Sequence, residues 1–387
     1  MKLAVVSLMG GLPWGGSEEL WHKLANHALL QNVQVLVSVY DWGKLHEKVE
    51  SLSYKGAIIH TRSHYNPNAG IVERVFRFVK KRRPASDPNY KKIIDFRPDC
   101  VFISQGDSFD LAIHHRPLYN LLRRHKIPYS FVCHSHVQYS LIPQKEIYPD
   151  AIEVFQHARY VYFVSKRQWQ LTERRLATRI PNGFITWNPL NLELPSSPLS
   201  WPTSDTRHFA MVANLIGTKG HDTAFEVLAG ENWRNKDWIL NIYGEGYGKR
   251  YLNDLSIFYG IADKVIFHGH THEIKTIWQM NHILLIPSAS EGLPISLVEA
   301  MSCGRPAVVT DIGGNIELIT ENETGFIASS PTSNAFAVAL EKAWDARDNW
   351  REMGLNAFRK VSNITDTKPE EKIYKHLTSS IENLSNG

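Results

Sequence analysis

Uninterrupted apolar runs recur along the first half of the chain at 2–8, 33–39, 57–60, 100–104, 129–134 and 160–164. Each is too short for a typical helix, and its apolar residues run on without polar alternation. That combination predicts strands buried on both faces. Between them, residues 18–30, 108–124 and 147–158 carry apolar side chains at helical spacing. Strand–helix–strand repetition with buried strands predicts a parallel, doubly wound sheet. The pattern stops at 188–206, where Pro189, Pro195, Pro198 and Pro202 with intervening serines read as an interdomain linker. It then resumes, with strands at 209–213, Trp238–Tyr243, 264–267, 283–287 and Ala307–Thr310. From Asn334 onward the sequence is mostly helical.

The expected fold is therefore α/β, with two doubly wound Rossmann-like domains. The first spans 1–190, the linker 191–206 and the second 207–369, and a last helix at 370–387 is permitted to cross back to the first. Ligands of this fold class collect at the carboxyl ends of the strands, so the two domains are expected to face each other across a cleft lined by those ends. A length of 387 residues agrees with two domains, each of roughly 180 to 200 residues.

Composition narrows the class. With 43% hydrophobic and 21% charged residues the chain matches a globular protein with large cores. Cys100, Cys133 and Cys303 are far apart and form no C-x-x-C pair, which argues for a reducing compartment and against a disulfide frame or zinc site. The apolar start breaks at Gly10-Gly11 and then Glu18-Glu19, so it reads as a first strand rather than a signal peptide. No stretch approaches the roughly 20 apolar residues of a membrane span. A cytoplasmic protein is expected.

Charge is unevenly divided. Residues 1–190 hold 26 Lys/Arg against 15 Asp/Glu, whereas residues 191–387 hold 17 against 24. The excess in the first half centres on residues 71–83, an amphipathic basic helix, with Arg123, Arg124 and Lys126 adding to it. Such a helix either docks peripherally on an anionic membrane, at its inner face, or packs on the core with a solvated cationic side. Nucleic acid is not an expected partner, because no recognition motif accompanies the charge.

The chemistry concentrates in residues 283–306. A buried strand ends at Ser288, a turn carries Glu291-Gly292, and a helix starts near Pro294 and stops at Gly304. The first amides of that helix, at Ile295 and Ser296, have no intrahelical partner, and the helix dipole places partial positive charge there. A diphosphate is the natural occupant of such an end. Glu291 and Glu299 flank it, and like charge makes them poor phosphate ligands. Accepting hydrogen bonds from the hydroxyls of a sugar and a ribose is the better task.

The string Glu291-Gly-Leu-Pro-Ile-Ser-Leu-Val-Glu299, continued by Gly304 and Pro306, resembles the glutamate–seven–glutamate signature of glycosyltransferase family 4, of the GT-B fold. Residues 310–319 and Gly325-Phe326 look like that family's next block. The resemblance implies that Glu291 binds donor-sugar hydroxyls and Glu299 the ribose, with Gly292, Leu293, Ile295 and Ser296 lining the donor. Lys219-Gly220 after 211–215 is similar to the family's diphosphate-neutralising element, with Asn214 where an arginine is usual. Lys219 is then the clear cation, and Arg207 and Arg305 are candidates to compensate. Gly244, in Tyr243-Gly-Glu-Gly246, resembles the family's turn after the second strand, and Phe267 lies on the strand that passes the nucleobase. The alternative for these glycines is that they simply end strands.

In the first half, Gly10-Gly-Leu-Pro-Trp-Gly15-Gly16-Ser17 opens a helix with Ser17 as its N-cap. It lacks the G-x-G-x-x-G spacing of a nicotinamide site. Gly15 and Gly16 resemble the family's glycine pair, or form a plain tight turn. The strand at 129–134 leads into His134 and His136, where the family carries a histidine that contacts the donor sugar. His134 is the better match, His136 the second choice, and a structural histidine the alternative. No metal site is evident.

The resemblance implies a retaining, metal-independent glycosyltransferase with no cofactor beyond its nucleotide-diphosphate sugar, acting with His134, Glu291 and Lys219 on a saccharide or lipid-linked acceptor in surface polysaccharide or glycolipid assembly. A GT-B sugar-nucleotide epimerase and a catalytically weak sugar-nucleotide-binding protein are the other readings.

Overall fold

The computed structural model describes residues 1–63, 88–135 and 148–385. The basic helix expected at 71–83 and the alternative histidine, His136, lie outside the described residues. Two compact units form, one from Met1–Val164, Gln168–Pro189 and Lys368–Gly387, the other from Ser165–Arg167 and Leu190–Thr367.

Unit 1 is built on a seven-stranded sheet of β1 (Lys2–Ser7), β2 (Gln34–Tyr40), β3 (Ile58–Arg62), β4 (Cys100–Asp107), β5 (Tyr129–Ser135), β6 (Val161–Phe163) and β7 (Gly183–Ile185). The strand order is β3-β2-β1-β4-β5-β6-β7, with every pairing parallel. Burial on both faces explains the continuous apolar runs, and Leu3, Ala4, Val5 and Val6 are all fully buried. The helix Glu18–Leu30 turns Leu20, Trp21, Leu24, Ala25 and Ala28 to the sheet. Burying each of the larger ones is worth roughly 1.5–3 kcal/mol. Asn32, at φ 58°, follows that helix in the left-handed conformation that asparagine tolerates.

Unit 2 repeats the plan with β8 (Arg207–Val212), β9 (Trp238–Tyr243), β10 (Val265–Gly269), β11 (Ile283–Ile286), β12 (Ala307–Thr310) and β13 (Gly325–Ala328), in the order β10-β9-β8-β11-β12-β13. Here too every pairing is parallel. Its core holds Trp233, Trp238 and Trp350 around Phe209.

Four features depart from the sequence reading. The helix expected at 108–124 is two, Asp110–Ile113 and Arg116–Arg124, because Pro117 cannot continue a helical hydrogen-bond ladder. Ser17 occupies the cap position but makes no side-chain cap bond, and the Glu18 amide donates instead to the Gly15 carbonyl at 3.0 Å. Residues 191–206, expected as a linker between the domains, fall within unit 2: the Leu199 amide donates to the Cys303 carbonyl at 3.2 Å, and the Arg305 guanidinium lies over the Trp201 ring. The short strands β7 and β13 and the helix Lys166–Leu176 go beyond the elements that the periodicity predicts, whereas β6 falls within the strand expected at 160–164.

The final helix, Pro369–Ser385, packs on Glu18–Leu30 within unit 1. Ile373 and Leu377 are 1% exposed there, and His376 Nδ1 is 3.1 Å from the Tyr162 hydroxyl. Among the described residues, no helix is long and apolar enough to cross a membrane.

Candidate functional site

In unit 2, β8 and β11 are neighbours although β9 and β10 lie between them in the chain. Connections leave this pair in opposite directions, the topological switch point above whose carboxyl ends ligands of doubly wound sheets bind. The loops after these two strands supply Lys219 and Glu291. Lys219 Nζ donates to Glu291 Oε1 at 2.7 Å. The side chain of Lys219 keeps 22% of its exposure and that of Glu291 only 9%, so the ammonium is the member that solvent can reach.

Backbone packing brings the two loops together. The Ala289 amide donates to the Thr218 carbonyl at 2.9 Å. Gly220 has φ +70°, and a Cβ there would fall 2.2 Å from the Pro287 carbonyl oxygen, so no other residue allows this approach. From the other side, the Gly314 amide donates to the Gly292 carbonyl at 2.6 Å, and Thr310 Oγ1 donates to the Ser288 carbonyl at 2.7 Å. The turn at 291–292 is therefore clamped between β8 and β12.

The helix Ile295–Ser302 begins at this turn, with Pro294 as its cap residue rather than its first helical one. The Pro294 carbonyl accepts the Leu297 amide at 3.1 Å, which leaves the amides of half-buried Ile295 and Ser296 at the open end of the helix. The far end closes as a Schellman motif: Gly304 and Arg305 donate to the Met301 and Ala300 carbonyls at 3.0 and 2.9 Å. Inside this helix Glu299 is 2% exposed. Its Oε1 accepts the Asn191 amide at 3.2 Å, and burial pushes its pKa up to about 7.

The other donor-side residues divide. Asn214 is half-buried in the loop after β8. Gly244 has φ +145° and would place a Cβ 2.0 Å from the Ala213 carbonyl oxygen, so it packs directly on that loop. Leu293 is 7% exposed. The Phe267 ring turns away into the core, against Phe225. Next to it the exposed His268 stacks on Tyr243 with ring centroids 4.5 Å apart, an aromatic pair that sequence reasoning missed.

Neither arginine supplies the missing charge. Arg305 is 1% exposed, and its guanidinium donates to the carbonyls of Trp278, Asn281, Cys303 and Ser200, which consume its hydrogen-bonding capacity. Arg207 begins β8, at the amino end of the sheet, and lies 3.9 Å from Asp348. Lys219 is the cation that the loop after β8 brings to Glu291.

In unit 1 the corresponding crossover lies between β1 and β4, where Ser7 pairs in register with Ser104. His134, at the end of β5, is 8% exposed, and its Nε2 is 3.0 Å from Ser104 Oγ. Burial lowers its pKa to about 3, so the ring is neutral at physiological pH. Gly15 and Gly16 lie in the loop that opens the helix Glu18–Leu30, and a Cβ on Gly15 would meet nothing within 4 Å. Sequence reasoning missed Glu18 itself, which is 3% exposed and accepts the Ser7 hydroxyl at 2.8 Å. The glycine pair just ahead of an acidic first turn was the available signal.

Residues 201–360, nearly all of unit 2, match the family model of group 1 glycosyl transferases. An uncharacterized glycosyltransferase of Haemophilus influenzae is 30% identical over 147 residues, 38% of this chain and 41% of that one. The Escherichia coli UDP-Gal:alpha-D-GlcNAc-diphosphoundecaprenol alpha-1,3-galactosyltransferase is 26% identical over 178 residues, 43% of this chain and 42% of that one. The matches thus span about two fifths of the length of these curated relatives.

Solved structures extend the likeness over the whole chain. Anabaena HepE in complex with UDP-glucose has a TM-score of 0.72 at 15% identity, covering 98% of this chain and 100% of that one. Sucrose-phosphate synthase from Thermosynechococcus elongatus has a TM-score of 0.73 at 15% identity, with 98% and 100% covered. The chain has the fold of the GT-B glycosyltransferases.

Proposed function

We propose that this protein is a retaining, metal-independent glycosyltransferase of the family 4 type, moving a sugar from a nucleotide-diphosphate donor to a hydroxyl of a saccharide or lipid-linked acceptor. The observation that carries this reading is the Lys219–Glu291 pair. It joins the loops of β8 and β11 beside the open end of the helix Ile295–Ser302, inside the segment that matches group 1 glycosyl transferases. A cation, two unpaired amides and a buried carboxylate within one crevice suit a diphosphate carrying a sugar.

In this reading, negative charge grows on the leaving diphosphate as the glycosidic C–O bond stretches. Lys219 and the amides of Ile295 and Ser296 stabilise it, a contribution of the kind whose removal costs about 10²–10³ in rate. The acceptor oxygen forms its bond to the anomeric carbon from the leaving-group face, and its proton passes to the departing phosphate oxygen. Glu291 and Glu299 hold hydroxyls of the sugar and the ribose. His134, neutral, donates to or accepts from the donor sugar rather than carrying charge. No metal or other cofactor is assigned a role. The names of the relatives, with UDP-Gal in one and UDP-glucose in another, make uridine diphosphate sugars the first donors to try. A diphosphoundecaprenol-linked acceptor in one of those names supports a role in surface polysaccharide assembly.

The test is incubation with a panel of sugar nucleotides and detection of nucleoside diphosphate release, with and without chelator. Release that persists in chelator supports the reading. Absence of release with every donor overturns the transferase, and loss in chelator overturns metal independence.

A further inference from the structure

We infer that the helix Lys249–Phe258 of unit 2 is a self-association face, on which a second copy of this chain docks antiparallel about a two-fold axis.

The face gathers apolar side chains that nothing in unit 2 covers. Among the described residues, six large hydrophobic side chains are at least 59% exposed, and four of them, Tyr247, Tyr251, Ile257 and Phe258, fall within residues 247–258. At 3.6 residues per turn, Arg250, Tyr251, Asp254, Ile257 and Phe258 share about one third of the helix circumference. Leu252 and Ser256, on the opposite side, are buried. The outward face is therefore apolar with one charge of each sign, where a surface helix ordinarily turns polar residues to water. Scattered singly, exposed apolar residues need no explanation, but gathered on one face they mark a contact.

The face is also held rigidly. A Cβ on Gly246 or Gly248 would fall 2.5 or 2.8 Å from the Leu215 carbonyl oxygen, so the start of the helix lies directly on the loop after β8. The Gly248 amide donates to that same carbonyl at 3.0 Å. A helix ordered in advance loses little entropy on docking.

The order of the residues says what covers it. Arg250 and Asp254 are 95% and 67% exposed and 4.0 Å apart, one turn from each other. In an antiparallel copy the sequence runs backward. A two-fold axis level with Leu252 then sets each Arg250 against Asp254 of the second copy, twice per interface. The same axis sets Tyr247 against Ile257 of the second copy, because both pairs are centred on residue 252, and Phe258 falls one position further on. Charge and apolar surface are thus complementary in a single register. An anionic lipid surface fits less well, since residues 191–387 carry 17 Lys/Arg against 24 Asp/Glu. An unrelated protein partner accounts for the apolar residues but not for the shared centre of the two pairs.

Size sets the strength. An aromatic side chain buries about 150–250 Å², so the three exposed rings offer on the order of 450 Å² per copy. Doubled, and with Ile257 and the charged pair added, the contact reaches roughly 1,000 Å², the lower end of a specific interface. A dimer of roughly micromolar Kd is expected.

The test is sedimentation velocity on the full chain at about 1–100 µM, a window that brackets such a Kd. Wild type should pass from monomer to dimer across the series. Arg250→Asp and Asp254→Arg should each weaken association at least about tenfold, since a charge reversal acts at both ends of a two-fold interface. Combining the two should return affinity to within about threefold of wild type. Phe258→Ser should leave the protein monomeric, with circular dichroism confirming the fold, and Tyr247→Ser takes its place should it fail to fold. A monomer at every concentration, a dimer unmoved by the single variants, or no rescue in the combined variant overturns the inference. So does monomeric wild type that co-sediments with vesicles of phosphatidylserine and phosphatidylcholine and loses them in Phe258→Ser, because the face is then a membrane contact. None of these readouts depends on the transferase reading.

Discussion

Freeing Lys219 should tighten the grip on a nucleoside diphosphate while stopping the chemistry. Lys219 Nζ is held by Glu291 Oε1 at 2.7 Å, so an incoming diphosphate has to win the ammonium from a carboxylate. Exposed pairs are worth about 0–1 kcal/mol and breaking buried ones costs about 3–5 kcal/mol. This pair lies between those limits, with Glu291 buried and the Lys219 side chain 22% exposed. A competition of roughly 1–2 kcal/mol follows, which is about five- to thirtyfold in affinity. Glu291→Gln removes the competing charge and leaves an amide of the same shape, so the fold should persist. The variant should bind nucleoside diphosphate about tenfold more tightly by isothermal titration calorimetry. Turnover of the sugar donor should fall at least about tenfold, since a hydrogen bond to a charged group contributes roughly 1.5–3 kcal/mol. Lys219→Ala should weaken both. Nucleotide affinity that is unchanged or lower in Glu291→Gln would refute the idea that the pair holds the cation in reserve.

Three more outcomes follow from burial and backbone. Glu299 has a folded pKa of about 7, above its ordinary 4.5, so its contribution to stability is full below pH 4.5 and lost as pH rises through 7. Glu299→Gln should therefore raise the melting temperature at pH 8 by about 2–8 °C and not at pH 4.5, and an equal shift at both pH values would contradict the assignment. His134 has the opposite sign: its folded pKa of about 3 is below the ordinary 6.5, so stability is full above 6.5 and falls as pH drops toward 3. Denaturant melts of wild type and His134→Gln should diverge by on the order of 1–3 kcal/mol between pH 7 and 4, and parallel curves would rule this out. Gly220→Ala should destabilise unit 2 by about 1–3 kcal/mol or more, because left-handed backbone and a clash with Pro287 coincide, and an unchanged melting temperature would contradict it.

How much of this was legible in the sequence depends on the range of the forces involved. Both sheets and their connections were readable, since continuous apolar runs report two-sided burial. β7 and β13 were not, because a few residues such as Gly183–Ile185 carry no measurable period. The turn at Glu291 and the helix it opens were legible from Pro294 and Gly304, which fix local backbone. That Lys219 would bond Glu291 was not, because it depends on two loops 72 positions apart meeting over Gly220 and Pro287. Arg305 misled for a related reason: a sequence records its charge, whereas only the fold shows the backbone carbonyls that surround it.

The return of the helix Pro369–Ser385 to the helix Glu18–Leu30 has a consequence for how the protein is made. Unit 1 is discontinuous in the chain, whereas unit 2 is nearly contiguous from Leu190 to Thr367. A ribosome releases everything unit 2 needs before it releases the last piece of unit 1. Unit 1 is then completed only after unit 2, and until residues 368–385 emerge the His27 side of Glu18–Leu30 waits bare for Tyr374. Translation that stops short of Pro369 would yield a complete second unit joined to a first one with an uncovered apolar seam, which is the kind of surface that chaperones and proteases recognise.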